Sequence, residues 1–122
     1  MKIYFGHSKV DGFEEKYYNP IKGNLEKYGI VLPHDIDHNA YQGREFYKTI
    51  DIFIAEVSAP ATGLGIELGY ADDDKTSIYC IYKKGTKPSG SLRTITNNFY
   101  EYEDTSDMIR IIEEIICQNY QK

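Results

Sequence analysis

Between Ile50 and Ala71 the chain reads IDIFIAEVSAPATGLGIELGYA, an order of residues that few folds accommodate. Ile52-Phe53-Ile54-Ala55 is short, apolar and rich in β-branched side chains, the pattern of a strand buried on both faces. The following Ser58-Ala59-Pro60-Ala61-Thr62-Gly63 is made of turn residues, and Pro60 lacks the N–H that a ladder needs. Leu64, Leu68 and Ala71 then recur at helical spacing, which predicts a helix starting near residues 63–65. A strand that feeds a glycine turn and then a helix places that turn at the carboxyl edge of a parallel sheet. In open α/β folds, that edge is where ligands bind.

Glu67 stands out within this stretch. It falls in the first turns of the expected helix, between Gly65 and Gly69. Unpaired N–H groups and the helix dipole favour an ionised carboxylate there, by roughly 0.3–1 kcal/mol when exposed. Small neighbours let a ligand approach closely. Covalent catalysis at a sugar carbon uses such a carboxylate. A simpler role is to complement the helix dipole, and position alone leaves both readings open.

The rest of the chain alternates strand and helix. Lys2-Ile3-Tyr4-Phe5 is a first strand, with Gly6-His7-Ser8 as the turn after it. Residues 13–28 read as helical with an interruption at Asn19-Pro20, where Asn19 would cap a second piece and Pro20 would take its first position. Gly29 closes it. Ile30-Val31-Leu32, ended by Pro33, is a second strand, and residues 43–49 allow one or two helical turns before the central strand. A fourth strand runs from Ser77 to Tyr82 and a fifth from Phe99 to Tyr102. Asp104 and Asp107 frame the last helix, with Ile109, Ile112 and Ile116 as its buried stripe and Met108, Ile111 and Ile115 widening it. The expectation is one α/β domain over residues 1–122. It is a three-layer sandwich around a five-stranded parallel sheet in the flavodoxin/Rossmann-like order 2-1-3-4-5. The switch point of that order brings residues 4–8 beside residues 58–67.

Composition narrows the function. At 122 residues the chain can bury one core. A net charge of −5 argues against nucleic-acid binding, which needs a concentrated basic surface. No apolar run approaches the roughly 20 residues of a membrane span, and Met1-Lys2-Ile3-Tyr4 opens into a strand rather than a signal peptide. Cys80 and Cys117 show neither metal nor disulfide spacing, so a cytoplasmic location is expected. The loop His34-Asp35-Ile36-Asp37-His38-Asn39 has a metal-like composition but matches no zinc or calcium pattern, and no metal or cofactor is expected. The basic, serine-rich segment from Lys83 to Ser91 reads either as an anion-holding loop or as a solvated connection.

Two blocks carry a family resemblance. Ile3-Tyr4-Phe5-Gly6-His7-Ser8 is similar to the opening I-Y-F-A-G-S of the nucleoside 2-deoxyribosyltransferase family, which includes the 2'-deoxynucleoside 5'-phosphate N-hydrolases. The block Asp51-Ile52-Phe53-Ile54-Ala55-Glu56-Val57-Ser58, with Pro60 and Gly63-Leu64-Gly65-Ile66-Glu67-Leu68-Gly69, resembles its signature D-x-x-x-A-E-V-[ST]-x-P-S-x-G-x-G-x-E-L-G. The resemblance spans the chain. It implies that Glu67 attacks C1' of a sugar while Tyr4 orients it, giving a glycosyl ester that water or a second base resolves. Implied around the substrate are Gly6, His7, Ser8, Asp37, Ser58, Pro60, Thr62, Gly63, Gly65, Ser89 and Ser91.

The chain departs from the family at three places. Ala61 stands where a serine or aspartate often holds the 5' end of the substrate, leaving Thr62 as the nearby hydroxyl. No aspartate lies near Gly43, so Glu45, Asp35 or Asp37 would replace it. His7 occupies a position that is usually glycine. The hydrolase branch borrows a serine from a neighbouring subunit, and Ser89 and Ser91 lie in the comparable region, which implies a homodimer or a larger homo-oligomer. The expected function is N-glycosidic cleavage, by hydrolysis or base transfer, of a small nucleoside or nucleoside 5'-monophosphate. The alternative is a binding module for a nucleotide derivative without turnover: retention of Tyr4 with Glu67 favours the enzyme, and loss of the accessory aspartate favours the binder.

Overall fold

The computed structural model describes residues 1–8, 10–35 and 43–120. Among these, four parallel strands form the sheet: β1 (Ile3–His7), β2 (Ile52–Glu56), β3 (Ser77–Lys83) and β4 (Phe99–Tyr102). Their order in space is β1-β2-β3-β4. The expected five-stranded sheet in the order 2-1-3-4-5 is thus corrected to four strands in chain order. Ile30-Val31-Leu32 lies against the outer edge of β1 but makes only an isolated parallel bridge, Val31 to Tyr4. Its two hydrogen bonds run from Phe5 N to Val31 O (3.0 Å) and from Val31 N to Ile3 O (2.8 Å). The reason is length. Gly29, left-handed at φ 62°, ends the preceding helical turn, and Pro33 begins a 3₁₀ turn, Pro33–Asp35. Three residues between a helix stop and a proline leave room for one bridge.

Helices cover both faces of the sheet. α1 (Asn19–Leu25) and α4 (Thr105–Tyr120) enclose one core with Ile3, Phe5, Ile52, Ile54, Tyr79 and Ile81. α2 (Arg44–Tyr47) and α3 (Thr62–Asp73) enclose the other with Tyr4, Phe53, Ala55, Ile78 and Cys80. The period-2 alternation of strand side chains produces this division. Both faces of β1 and β2 are buried along their whole length, as their near-continuous apolar sequences require. α4 buries Met108, Ile111, Ile112, Ile115 and Ile116, each side chain contributing roughly 1.5–3 kcal/mol. Its first turn is closed reciprocally: Asp107 N donates to Asp104 Oδ1 and Glu103 N to Asp107 Oδ2, both at 2.9 Å. No helix among the described residues is long and apolar enough to cross a membrane.

At Asn19-Pro20 a second helical piece begins with Pro20 in its first turn, as expected, but without a break in the chain or an Asn19 cap. A π-helical turn, Glu14–Tyr18, runs straight into α1, and Asn19 is itself helical at φ −62°, ψ −45°. Asn19 N donates to Glu14 O rather than capping anything. Proline inside a regular helix removes a hydrogen bond and collides with the carbonyl four residues back. The widened turn immediately ahead of Pro20 relieves that crowding.

Gly6 sets the seat of α3. A Cβ at this position would lie 2.7 Å from Phe53 Cε1 and 2.8 Å from Leu64 Cδ1. Phe53 is in β2 and Leu64 is in the first turn of α3, so glycine is required by space rather than by backbone conformation. Gly6→Ala is therefore expected to cost about 1–3 kcal/mol, the usual range for overpacking. Urea denaturation of the two proteins measures the difference.

Candidate active site

β1 turns Tyr4 toward the α2–α3 side of the sheet, and α3 turns Glu67 back toward it. Tyr4 Oη donates to Glu67 Oε1 at 2.8 Å. The Tyr4 ring is wholly buried, met edge-on by Phe46, Tyr47 and Phe53 at centroid distances of 5.8, 5.7 and 4.9 Å. Burial, and then the negative charge of Glu67, push the Tyr4 phenol far above its ordinary range, so it remains a donor. Burial also raises the Glu67 carboxyl, and the Tyr4 hydrogen bond pulls it back part of the way. The result is an oriented carboxylate, incompletely solvated and held by a neutral donor.

α3 begins without a side-chain cap. Ala61 precedes it in extended conformation, and the first helical bond runs from Gly65 N to Ala61 O at 3.0 Å. Unsatisfied N–H groups at such a start are available to an anion. Pro60, Thr62, Gly65, Ser89 and Ser91 line one cleft of about 370 Å³ with Val57, Leu64 and Leu92. Ser89 Oγ accepts from Ser91 N at 3.4 Å, fixing the short turn Gly90–Thr94. Gly63 lies in the first turn of α3, with open space where a side chain would stand.

His7, Ser8 and Ser58 belong to a different environment. His7 lies with Phe5 on the α1–α4 side, its ring among Phe13, Tyr17, Tyr18 and His34. Its Nδ1 is 2.7 Å from Ser8 O, and a carbonyl only accepts, so Nδ1 carries the proton. Nε2 therefore accepts from Tyr18 Oη at 2.6 Å, and Tyr18 in turn accepts from His34 N at 3.2 Å. Burial depresses the His7 pKa, keeping the ring neutral. Ser58 donates to Glu56 through both N (2.7 Å) and Oγ (2.9 Å) and accepts from Lys83 N at 2.9 Å. Glu56, 1% exposed, also accepts from Tyr102 Oη. Ser8, Glu56, Ser58, Lys83 and Tyr102 help line a second cleft of about 310 Å³.

Asp37 lies outside the described residues, as does the side chain of Asp35. Glu45 is exposed and pairs with Lys48 at 3.1 Å. No group of three or more potential metal ligands occurs among the described residues. The structure thus brings together Tyr4 and Glu67 as one unit and Pro60, Thr62, Gly65, Ser89 and Ser91 as another. Sequence reasoning missed Phe46 and Tyr47 around Tyr4, and Glu56 beneath Ser58. The available signals were an aromatic pair just before the central strand and a lone acid ending an apolar run.

No protein-family model matches the sequence. A Nematostella vectensis protein described as a putative 2'-deoxynucleoside 5'-phosphate N-hydrolase 1 is 30% identical, across 88% of this chain and 90% of its own. This chain belongs to the 2'-deoxynucleoside 5'-phosphate N-hydrolase family. A second relative, a 5-hydroxymethyl-dUMP N-hydrolase of Esox lucius, is also 30% identical, covering 73% of this chain and 74% of that one. The fold is shared with a Clostridium botulinum CMP N-glycosidase at a TM-score of 0.66, over 93% of this chain and 99% of that one, at 19% identity. Family membership agrees with the resemblance carried by the two sequence blocks.

The raised pKa of Glu67 has a sign for stability. A carboxyl whose folded pKa exceeds its unfolded one binds protons more tightly in the folded state, so stability falls as pH rises through that window. Above the window the buried charge is a standing penalty. Glu67→Gln, which keeps an acceptor for Tyr4, is expected to melt at or above the parent temperature at pH 7. The two curves should converge as pH drops below the ordinary carboxylate range, which a pH series of calorimetric scans measures.

Proposed function

We propose that this N-hydrolase family member cleaves the N-glycosidic bond of a 2'-deoxynucleoside 5'-monophosphate through a glycosyl ester on Glu67. The observation that carries the reading is the 2.8 Å hydrogen bond by which buried Tyr4 holds the Glu67 carboxylate. A Glu67 oxygen bonds to C1' as the C1'–N bond breaks, and the base leaves with its electron pair and takes up a proton. Water then bonds to C1', the ester C–O bond breaks, and the carboxylate returns as a proton is released. Tyr4 restricts rotation of the nucleophile and stays protonated throughout. The open start of α3, with Thr62 beside it, suits the 5' phosphate because its N–H groups and dipole favour an anion. The relatives' names support a deoxynucleotide substrate.

We place residues 1–122 in one domain acting in the cytoplasm, in keeping with two free thiols, Cys80 and Cys117. The active form is a homodimer or larger homo-oligomer in which the segment holding Ser89 and Ser91 reaches a neighbouring site. In support, the outer face of α3 between Gly65 and Gly69 is smooth and apolar: Ile66 is 53% exposed beside these two glycines, which have open space before them. A two-fold pair is the commonest closed arrangement. A second reading, a nucleotide-binding module without turnover, is favoured by one observation. Glu45, the described candidate for the accessory acid, faces solvent and Lys48 rather than Glu67.

Incubation with a panel of nucleotides, read as free base, separates enzyme from binder. Glu67→Gln is expected to lower base release by roughly 10³-fold or more while binding persists. Tyr4→Phe is expected to lower it by about 10- to 100-fold, the value of a hydrogen bond to a charged group. Because attack needs ionised Glu67, kcat/KM should fall on the acid side at a pH above the ordinary carboxylate range. Wild-type rates in Glu67→Gln would remove the assignment. For assembly, light scattering at micromolar concentration should give at least twice the chain mass; a monomer whose activity survives dilution would end the shared-site proposal.

A further inference from the structure

The cleft of about 370 Å³ at the start of α3 has two walls from different parts of the chain. Val57, Ala59 and Pro60 belong to the turn after β2, and Ser89, Ser91 and Leu92 to the segment after β3. The two strands pair in parallel, and Val57 N still donates to Ile81 O (2.9 Å) just beyond β2. There the regular ladder stops. Lys83 N, which a continued parallel ladder would aim at Val57 O, goes to Ser58 Oγ at 2.9 Å. A backbone N–H can only donate, which leaves the single hydroxyl proton of Ser58 for Glu56 Oε2, at 2.9 Å. Ser58 N donates to the other carboxyl oxygen, Glu56 Oε1, at 2.7 Å. Glu56 is held in turn from β4, where Tyr102 Oη donates to Oε2. Burial pushes the Tyr102 phenol far above its ordinary range, which keeps it a donor.

We propose that Ser58 is a positioning residue that sets the spacing between the two walls of this cleft, with Glu56 and Tyr102 as its support. Its hydroxyl joins the turn leading into α3 to Lys83, the last residue of β3, from which the second wall departs. Glu56 fixes the direction of that hydroxyl by gripping Ser58 through both its N–H and its O–H. Tyr102 anchors the grip to a third strand, so the joint does not depend on the turn alone. Because the Ser58 proton is committed to Glu56, the hydroxyl is not free to donate to a substrate. Its influence on a bound 5' phosphate passes through the N–H groups that open α3 and through the hydroxyls of Ser89 and Ser91. Glu56, Ser58 and Tyr102 themselves border the second cleft, and none of them lines the first.

The kinetic part of this proposal rests on the function proposed above; the placement of the walls does not. Residual dipolar couplings of the backbone amides read that placement by NMR without substrate. Ser58→Ala should shift the couplings of residues 57–65 relative to those of residues 84–94, and leave those of β1 and α4 in place. With a 2'-deoxynucleoside 5'-monophosphate, KM should rise roughly two- to tenfold, the worth of one neutral hydrogen bond, and kcat should change by less. Such a split marks lost binding rather than lost chemistry or lost folded protein. Tyr102→Phe should raise KM in the same direction. The double variant should fall short of the product of the two effects, since both act through Glu56. A raised KM with unmoved couplings would mean that Ser58 touches the substrate directly, and would overturn the proposal. Fully multiplicative effects of the two substitutions would overturn it as well. Should Ser58→Ala fail to fold, Ser58→Cys puts a weaker donor and acceptor in the same place and should move the same couplings by less; no movement rejects the joint. If the couplings move as expected while the wild type cleaves no nucleotide, the positioning role stands and the function falls.

Discussion

The absence of a side chain at Gly6 governs how closely α3 approaches the sheet. Phe53 and Leu64 occupy the volume that a Cβ would need. With Leu64 settled there, the next turn of α3 delivers Glu67 to the hydroxyl of Tyr4. Residues 4 and 6 share a face because strand side chains alternate. One face of β1 therefore supplies both the donor and the gap that brings the acceptor within reach. A hydrogen bond is sensitive to displacements of a few tenths of an ångström, so packing at Gly6 and chemistry at Glu67 are one constraint.

Two glutamates in this stretch illustrate how environment divides similar groups. Glu56, on the α1–α4 side, accepts from Ser58 N, Ser58 Oγ and Tyr102 Oη. A buried carboxyl group is tolerable only when its polar atoms are met in this way. Those bonds tie the exit of β2 to β4, and Lys83 N adds β3 through the Ser58 hydroxyl. Glu67, on the other side, has one oxygen engaged by Tyr4. The first carboxylate is saturated and braces the turn leading into α3. The second is oriented yet retains the capacity to bond with something else, as the proposed nucleophile must.

Much of this was legible because period and punctuation act locally. The apolar run of β2, the Pro60 turn and the Leu64–Leu68–Ala71 spacing gave the strand–turn–helix unit, and Glu67 with Tyr4 followed from the two sequence blocks. Features that depend on spacing across the chain were less legible. Ile30-Val31-Leu32 has strand composition, but the lengths fixed by Gly29 and Pro33 reduce it to one bridge. Pro20 does stand in the first turn of α1, but the π-turn ahead of it, which makes Asn19 helical rather than a cap, has no simple sequence mark. Tyr47 reads as one aromatic residue among many until its ring is seen to meet Tyr4 edge-on. Ser58 reads as a loop hydroxyl until the buried acid beneath it is located.

His7 completes the division between the two faces of β1. A side chain able to move protons, next to a candidate active site, invites a catalytic reading. Both its nitrogens, however, are engaged by Ser8 O and Tyr18 Oη, and burial holds it neutral. Through Tyr18 it reaches His34 N, joining the end of β1 to the turn Pro33–Asp35. The aromatic pair against Tyr4 lies on the opposite side of the sheet, in α2. The α1–α4 side of the sheet edge thus carries saturated polar groups that fix backbone, while the α2–α3 side carries the carboxylate left available. Such a separation lets the α2–α3 side remain under-satisfied, because the rigidity it needs is provided from behind the sheet.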